Sequence, residues 1–241
     1  MNMRRLPRLR LLACAVLIGL FGLASLPAAA HARAAKEPSV ESAKWFTTSL
    51  SFGSFWLADE NIQASYTDSG KFITKLNVGF VPWSRYVHTE ISLGVGFLQF
   101  PGKAQFISTG GSSADSVMLT MFPLSVDLLV GIDIVEEQPV VPYGGVGLAW
   151  TLWRENETGG GAEWVGDRMG GSAFFGVGLL LDRLEPARAA RVDAKTGIND
   201  SYVTIEGRYS KIESQLRDGE WQTDGLKFSG WSLHVGLKLA Y

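Results

Sequence analysis

The residues able to do chemistry are few and are spaced in twos. Lys75, His88, Glu90, Asp127, Asp182, Glu206, Arg208 and Lys238 all lie in stretches where every second residue is large and apolar, and each takes the opposite parity. Mixed charges on one parity can pair into an internal network, line a narrow pore, or serve a reaction. His88, Glu90 and Ser92 share one strand face, the residue types of a Ser–His–acid set, which needs a nucleophile beside a positioned base. Same-face spacing of this kind is common in strands, and this set points with the other charges rather than with the apolar residues. No histidine cluster has metal-ligand spacing. The glycine-rich stretches 109–112 and 158–161 lack the Gly-Lys-Ser/Thr ending of a phosphate loop. Asn156-Glu157-Thr158 has the form of a glycosylation acceptor and nothing more. The expectation is no catalytic residue, no metal and no cofactor, with Lys75, His88, Glu90, Asp127, Glu206, Arg208 and Lys238 forming a charge network.

The elements that must hold these residues are strands, because alternation places successive side chains on opposite faces. Eight segments alternate: 45–55, 72–82, 86–98, 117–130, 140–153, 172–182, 200–212 and 231–241. In the last, Trp231, Leu233, Val235, Leu237, Leu239 and Tyr241 oppose Ser232, His234, Gly236, Lys238 and Ala240. Segments of ten or more residues match tilted membrane strands of ~9–11 residues, whereas strands of soluble domains run nearer ~5–6. Alternation alone leaves open which face is outside. A soluble barrel of lipocalin type turns the large apolar set inward; a membrane barrel turns it outward.

Three features favour the membrane. The chain ends on Tyr241 with Leu237 and Leu239 at every second position before it, the form of an assembly signal for outer-membrane barrels. Trp45, Trp56, Trp83, Trp150, Trp153 and Trp231 fall near strand ends, where Tyr86, Tyr143 and Tyr209 can join them in aromatic girdles. Trp164 and Trp221 lie in expected loops. Long polar connections (56–71, 99–116, 154–171, 213–226) alternate with short ones (83–85, 131–139), and 183–199 breaks the rhythm, with Pro186 placed to start a short helix.

The N-terminus is an address. Arg4, Arg5, Arg8 and Arg10 precede an uncharged run from Leu11 to Ala30, and small-x-small cleavage positions follow at Ala30–Ala32, the layout of a secretory signal peptide. The expected organisation is a signal peptide over 1–32, a periplasmic segment over 33–44 and a barrel over 45–241. The whole chain of 241 residues carries 22 basic and 24 acidic residues. Removal of 1–32 takes four basic residues and no acid, leaving 18 against 24, together with the only cysteine, Cys14. The acidic balance argues against a nucleic-acid binder.

Local sequences then resemble a known family. Phe122-Pro123-Leu124-Ser125-Val126, Pro139-Val140-Val141-Pro142-Tyr143-Gly144, Leu181-Asp182-Arg183-Leu184-Glu185-Pro186 and Gly197-Ile198-Asn199 before a strand with Glu206 resemble outer-membrane β-barrel proteins typified in myxobacteria and related bacteria. The resemblance covers ~120–241 best; as an expectation it implies an outer-membrane barrel and brings no catalytic residue or ligand. The sequence therefore predicts an all-β, eight-stranded, antiparallel up-and-down transmembrane barrel in the outer membrane, exported through the Sec pathway. Its expected partners are the lipid bilayer and the barrel-assembly machinery, and it is expected to be a monomer. The expected role is structural or loop-mediated and non-catalytic. The alternatives are a narrow pore or small-solute carrier and, third, a lipid-modifying enzyme.

Overall fold

The computed structural model describes residues 44–66, 70–84, 86–105, 112–134, 138–157, 163–217, 220–223 and 225–241. The expected signal peptide, all of 33–44 except Lys44, and the glycine-rich 109–111 and 158–161 lie outside these residues.

The alternating segments form β1 (Phe46–Leu57), β2 (Lys71–Ser84), β3 (Val87–Gln105), β4 (Ser112–Ile132), β5 (Val140–Glu157), β6 (Glu163–Leu180), β7 (Asp200–Arg217) and, last in the chain, β9 (Gly230–Ala240). A three-residue β8 (Glu220–Gln222) pairs only with the end of β7. Each long strand pairs antiparallel with its neighbours in sequence, β9 bridges β1 and β7, and β6 pairs with β7, so the sheet closes into a ring of eight. The ends meet where Trp45 N donates to Tyr241 O (2.7 Å) and Tyr241 N to Phe46 O (2.8 Å). Closure pairs the backbone and removes the sheet edge, which a lipid environment demands.

The register fixes the width. Paired residues run Ser201–Leu239–Thr48–Val78–Leu93–Val126–Leu148–Gly171 and return to β7 at Lys211, ten residues above Ser201. Eight strands with such a stagger tilt by ~35–45° and enclose an interior just wide enough for side chains to fill.

The burial pattern decides which face is outside. Trp231, Leu233, Val235 and Leu237 are about half exposed, while Ser232 and His234 between them are buried. The same holds around the ring: Phe46, Leu50, Phe72, Leu76, Ile91, Leu93, Val126, Leu128, Val146, Leu148 and Phe175 all face outward. The apolar face is therefore the exterior. Ten steps of ~3.3 Å down β9, tilted by ~40°, span roughly 25 Å, the height of a lipid-facing band.

Above that band the pattern inverts. Ile73, Leu98, Met121 and Trp153 are cross-strand partners in one row and point inward, while their neighbours Phe72, Phe97, Phe122 and Leu152 face outward. One step higher, polar residues enter the outward row at Gln99, Thr120 and Arg154, beside the apolar Val165. The strands thus continue beyond the band with apolar residues inside. This corrects the expected loops 99–116, 154–171 and 213–226, much of which is strand, and places Trp164 on β6 and Trp221 on β8. The inner cluster of Phe55, Leu98, Phe100, Leu119, Met121 and Phe228 is covered by Ile62 of α1 (Glu60–Ser65) and by Tyr66, which bridges to Gly102.

At the other end, the connection after β6 contains α2 (Pro186–Thr196), with Pro186 in its first turn and Gly197 closing it at φ 71°. That left-handed value is one that only glycine adopts without strain. None of the residues of α2 is buried.

Leu148 faces outward at mid-height and is 70% exposed. Leu148→Arg is expected to cost about 2–4 kcal/mol in a bilayer, read by urea unfolding from lipid vesicles. On a water-facing surface the same change falls within about 0.5 kcal/mol, and that result would contradict the assigned exterior.

Candidate functional site in the barrel lumen

Inside the band, the inward side chains form two groups. Asp127 of β4 anchors the first. Its carboxylate accepts hydrogen bonds from Lys75 Nζ (3.1 Å), Arg208 Nη1 (2.9 Å) and Nη2 (3.0 Å), and Ser125 Oγ (3.0 Å). Arg208 of β7 also donates through Nε to Glu206 (3.1 Å) and through Nη1 to Ser172 (3.0 Å), and its guanidinium lies 4.2 Å from the centre of the Phe174 ring. Tyr143 donates to the other oxygen of Glu206 (3.4 Å). The fork of Arg208 fits a carboxylate edge-on, the geometry of a strong charge-assisted pair. The second group lies nearer the chain termini, where Lys238 Nζ donates to Glu90 (2.6 Å).

The strands make room for these groups through inward glycines. A Cβ on Gly147 would overlap the Asp127 carboxylate, and one on Gly94 would stand 2.7 Å from Lys75 Cε. A Cβ on Gly131 would likewise overlap the His88 ring. The small residues opposite the apolar set are thus clearance for long charged side chains.

The structure brings Lys75, Asp127, Glu206 and Arg208 together and sets Glu90 with Lys238 apart from them. Three cations (Lys75, Arg208, Lys238) face three carboxylates (Asp127, Glu206, Glu90), so these two groups together are neutral, while the buried Arg168 higher up β6 donates to Leu226 O and Gln215 Oε1. His88 lies against Gly131 near Glu90 and Lys238. The Glu90 carboxylate is engaged by Lys238, and the His88–Glu90–Ser92 spacing does not assemble a catalytic set in the contacts described. Asp182 lies in the turn beyond β6, outside the lumen, which corrects its place among the inward charges. Two aromatic assignments are corrected as well. Trp153 packs inside against Phe228 (6.1 Å between rings), and Tyr143 points into the lumen. Both share the parity of inward Gly145 and Gly147, so the alternation itself held the answer. Phe174 and Ser172, overlooked beside Gly176 and Gly178, follow the same rule.

The remaining outward aromatics fall at two heights. Trp45, Phe46, Phe80, Trp83 and Tyr86 are exposed near the termini, with Trp45 over Phe80 (6.3 Å). Trp56 pairs across the strands with Trp231, which packs on Tyr209 (4.9 Å), toward the other end. Trp150 donates to Asp167 (3.0 Å). Leu237 and Leu239 follow the outward parity of β9, and the Tyr241 hydroxyl lies 3.3 Å from Thr48 Oγ1.

The space left is small. The polar cavity, bounded by Asn77, Glu90, Glu206, His234 and Lys238, holds about 40 Å³. A second, apolar cavity of about 50 Å³ lies beneath Leu98, Met121 and Phe228. Asn77 Oδ1 and His234 Nδ1 have no protein partner and border the polar cavity, which has room for a few waters at ~10–15 Å³ each. Among the described residues, no group of three or more His, Cys, Asp or Glu could hold a metal ion.

These features define the fold as that of an eight-stranded outer-membrane β-barrel. The chain is similar in fold to outer membrane protein OprG of Pseudomonas aeruginosa, with a TM-score of 0.50 and 13% identity over 83% of this chain and 97% of that one. Structures of Neisserial surface protein A (TM-score 0.49, 12% identity, 81% and 97% covered) and of Ail, the attachment invasion locus protein of Yersinia pestis (0.45, 11%, 83% and 100%), also align. No family model matches the sequence, and no curated protein does.

Asp127→Leu leaves Lys75 and Arg208 buried without their shared partner and is expected to cost about 3–5 kcal/mol in urea unfolding from lipid; a loss within experimental error would contradict the network's structural role. At the terminal end, burial, then the charge of Asp200, raises the Asp182 carboxyl above its ordinary value. A raised acid contributes stability below its unfolded value, and that contribution is lost as pH rises through the folded one. Asp182→Asn is therefore expected to flatten the fall in stability from about pH 4 upward, measured by unfolding at stepped pH.

Proposed function

We propose that this chain is a closed, non-catalytic outer-membrane barrel whose interior is structural and whose contacts with other molecules are made by its outer surface and loops. The filled lumen carries this reading. The central charges neutralise one another, and the cavities of about 40 and 50 Å³ beside them have room for a few waters each, at ~10–15 Å³ per water. The apolar cluster around Phe100, Leu119 and Phe228 closes the end opposite the termini. The motifs that resemble the myxobacterial barrel family agree with this role and bring no ligand. Export through the Sec pathway, insertion by the barrel-assembly machinery and a monomeric state belong to the same reading. The barrel's orientation then puts both chain ends in the periplasm.

A pore is the competing function and is separable by experiment. Purified wild-type protein in planar lipid bilayers is expected to show no resolvable conductance steps. The double variant Phe100→Ala/Phe228→Ala removes the largest side chains of the closing cluster and is expected to remain closed, because the Asp127 network still fills the barrel below it. Stable open steps in the wild type would overturn the proposal. Heat-modifiable migration in detergent gels confirms that the protein tested is a folded barrel.

A further inference from the structure

The basic face of α2 stands out against an acidic barrel. Residues 45–241 carry 15 basic and 22 acidic residues, yet 183–199 carries four basic against two acidic. Three of those cations, Arg188, Arg191 and Lys195, are spaced by three and four, which puts them along one helical face. The half-buried residues of the helix, Ala189 and Asp193, mark the face turned toward the barrel. At 100° per residue that face is opposite Arg191, so the cations point away from the barrel. Arg188 shares one exposed pair with Glu185 (2.7 Å), and among the described residues neither Arg191 nor Lys195 has an ion-pair partner.

The position of the helix selects its partner. It leaves the barrel a few residues after Leu179, the last outward apolar residue of β6, on the end that carries the girdle residues Trp83 and Tyr86. Leu184, in the short tether, is 76% exposed, and Val192 is 41% exposed. A tethered helix with cations on one face and exposed aliphatic residues beside it has the form of an interfacial element.

We propose that α2 docks on the anionic phospholipid headgroups of the leaflet at the terminal end of the barrel. The proposal rests on the outer-membrane reading above. Cations near an anionic leaflet each strengthen attachment by roughly fivefold, and the effect fades within a Debye length.

Amide hydrogen exchange of the 186–196 segment tests this in the full refolded chain. Exchange is expected to be at least about fivefold slower in phosphatidylglycerol-containing vesicles than in pure phosphatidylcholine, with protection lost in ~1 M salt. Arg188→Gln/Arg191→Gln/Lys195→Gln is expected to abolish the difference, and Arg188→Lys/Arg191→Lys to preserve it. Equal exchange in both bilayers, with heat-modifiable migration intact, overturns the docking and leaves the barrel reading standing. Protection by purified cell-wall sacculi but not by the anionic vesicles also overturns it, in favour of the wall polymer. Failure to insert into either bilayer strikes the membrane reading itself.

Discussion

The width of the lumen constrains everything else in this molecule. Eight strands closing with a stagger of ten residues leave a bore that side chains must fill, because there is no room for bulk water and no tolerance for a lone charge. Asp127 meets this demand at the centre. Four donors converge on its carboxylate, from its own strand (Ser125), from β2 (Lys75) and from β7 (Arg208, twice), so one group ties together elements far apart in sequence. The inward glycines follow from the same constraint: Gly147 and Gly94 are where Asp127 and Lys75 lie across neighbouring strands. The pairing at the centre follows too, with Lys75, Arg208 and Lys238 against Asp127, Glu206 and Glu90.

The exterior obeys a separate rule, and the two rules change places at one height. Within the band, large apolar residues face out and polar ones face in. At the row Ile73–Leu98–Met121–Trp153 the apolar side moves inside, and the outward positions turn polar at Gln99, Thr120 and Arg154. An environment that changes from lipid to water along the strand accounts for this exchange. Above the row the barrel resembles a small soluble domain, with Ile62 and Tyr66 folded over its core. The same molecule thus solves two solvation problems with one continuous sheet.

Much of this was legible in the sequence. Period two over ten or more residues marked all eight strands, and parity sorted Asp127 from Val126 and Arg208 from Tyr209. For Tyr143 and Trp153 aromatic type suggests a girdle while parity points inward, and parity is the stronger signal; Phe174 obeys the same parity. The upper ends of the long strands are hard to see in the sequence because polar outward residues such as Gln99 and Arg154 look like loop composition when the apolar face has switched sides. Adjacent apolar pairs, Phe72-Ile73, Phe97-Leu98, Met121-Phe122 and Leu152-Trp153, were the signal of that switch. The particular pairings, Lys75 with Asp127 and Lys238 with Glu90, were not legible, because they depend on stagger around the closed ring, and alternation within one strand carries no register between strands.

The central claim is that the apolar face meets lipid while the charged and upper aromatic groups are enclosed. Fluorescence quenching by acyl-chain-brominated lipids tests it most directly, in variants that keep a single tryptophan at position 231 or at position 153. Strong quenching of Trp231 with Trp153 left bright is the expected result. Equal quenching at the two positions, or none at Trp231 in a folded, membrane-inserted protein, would contradict the account.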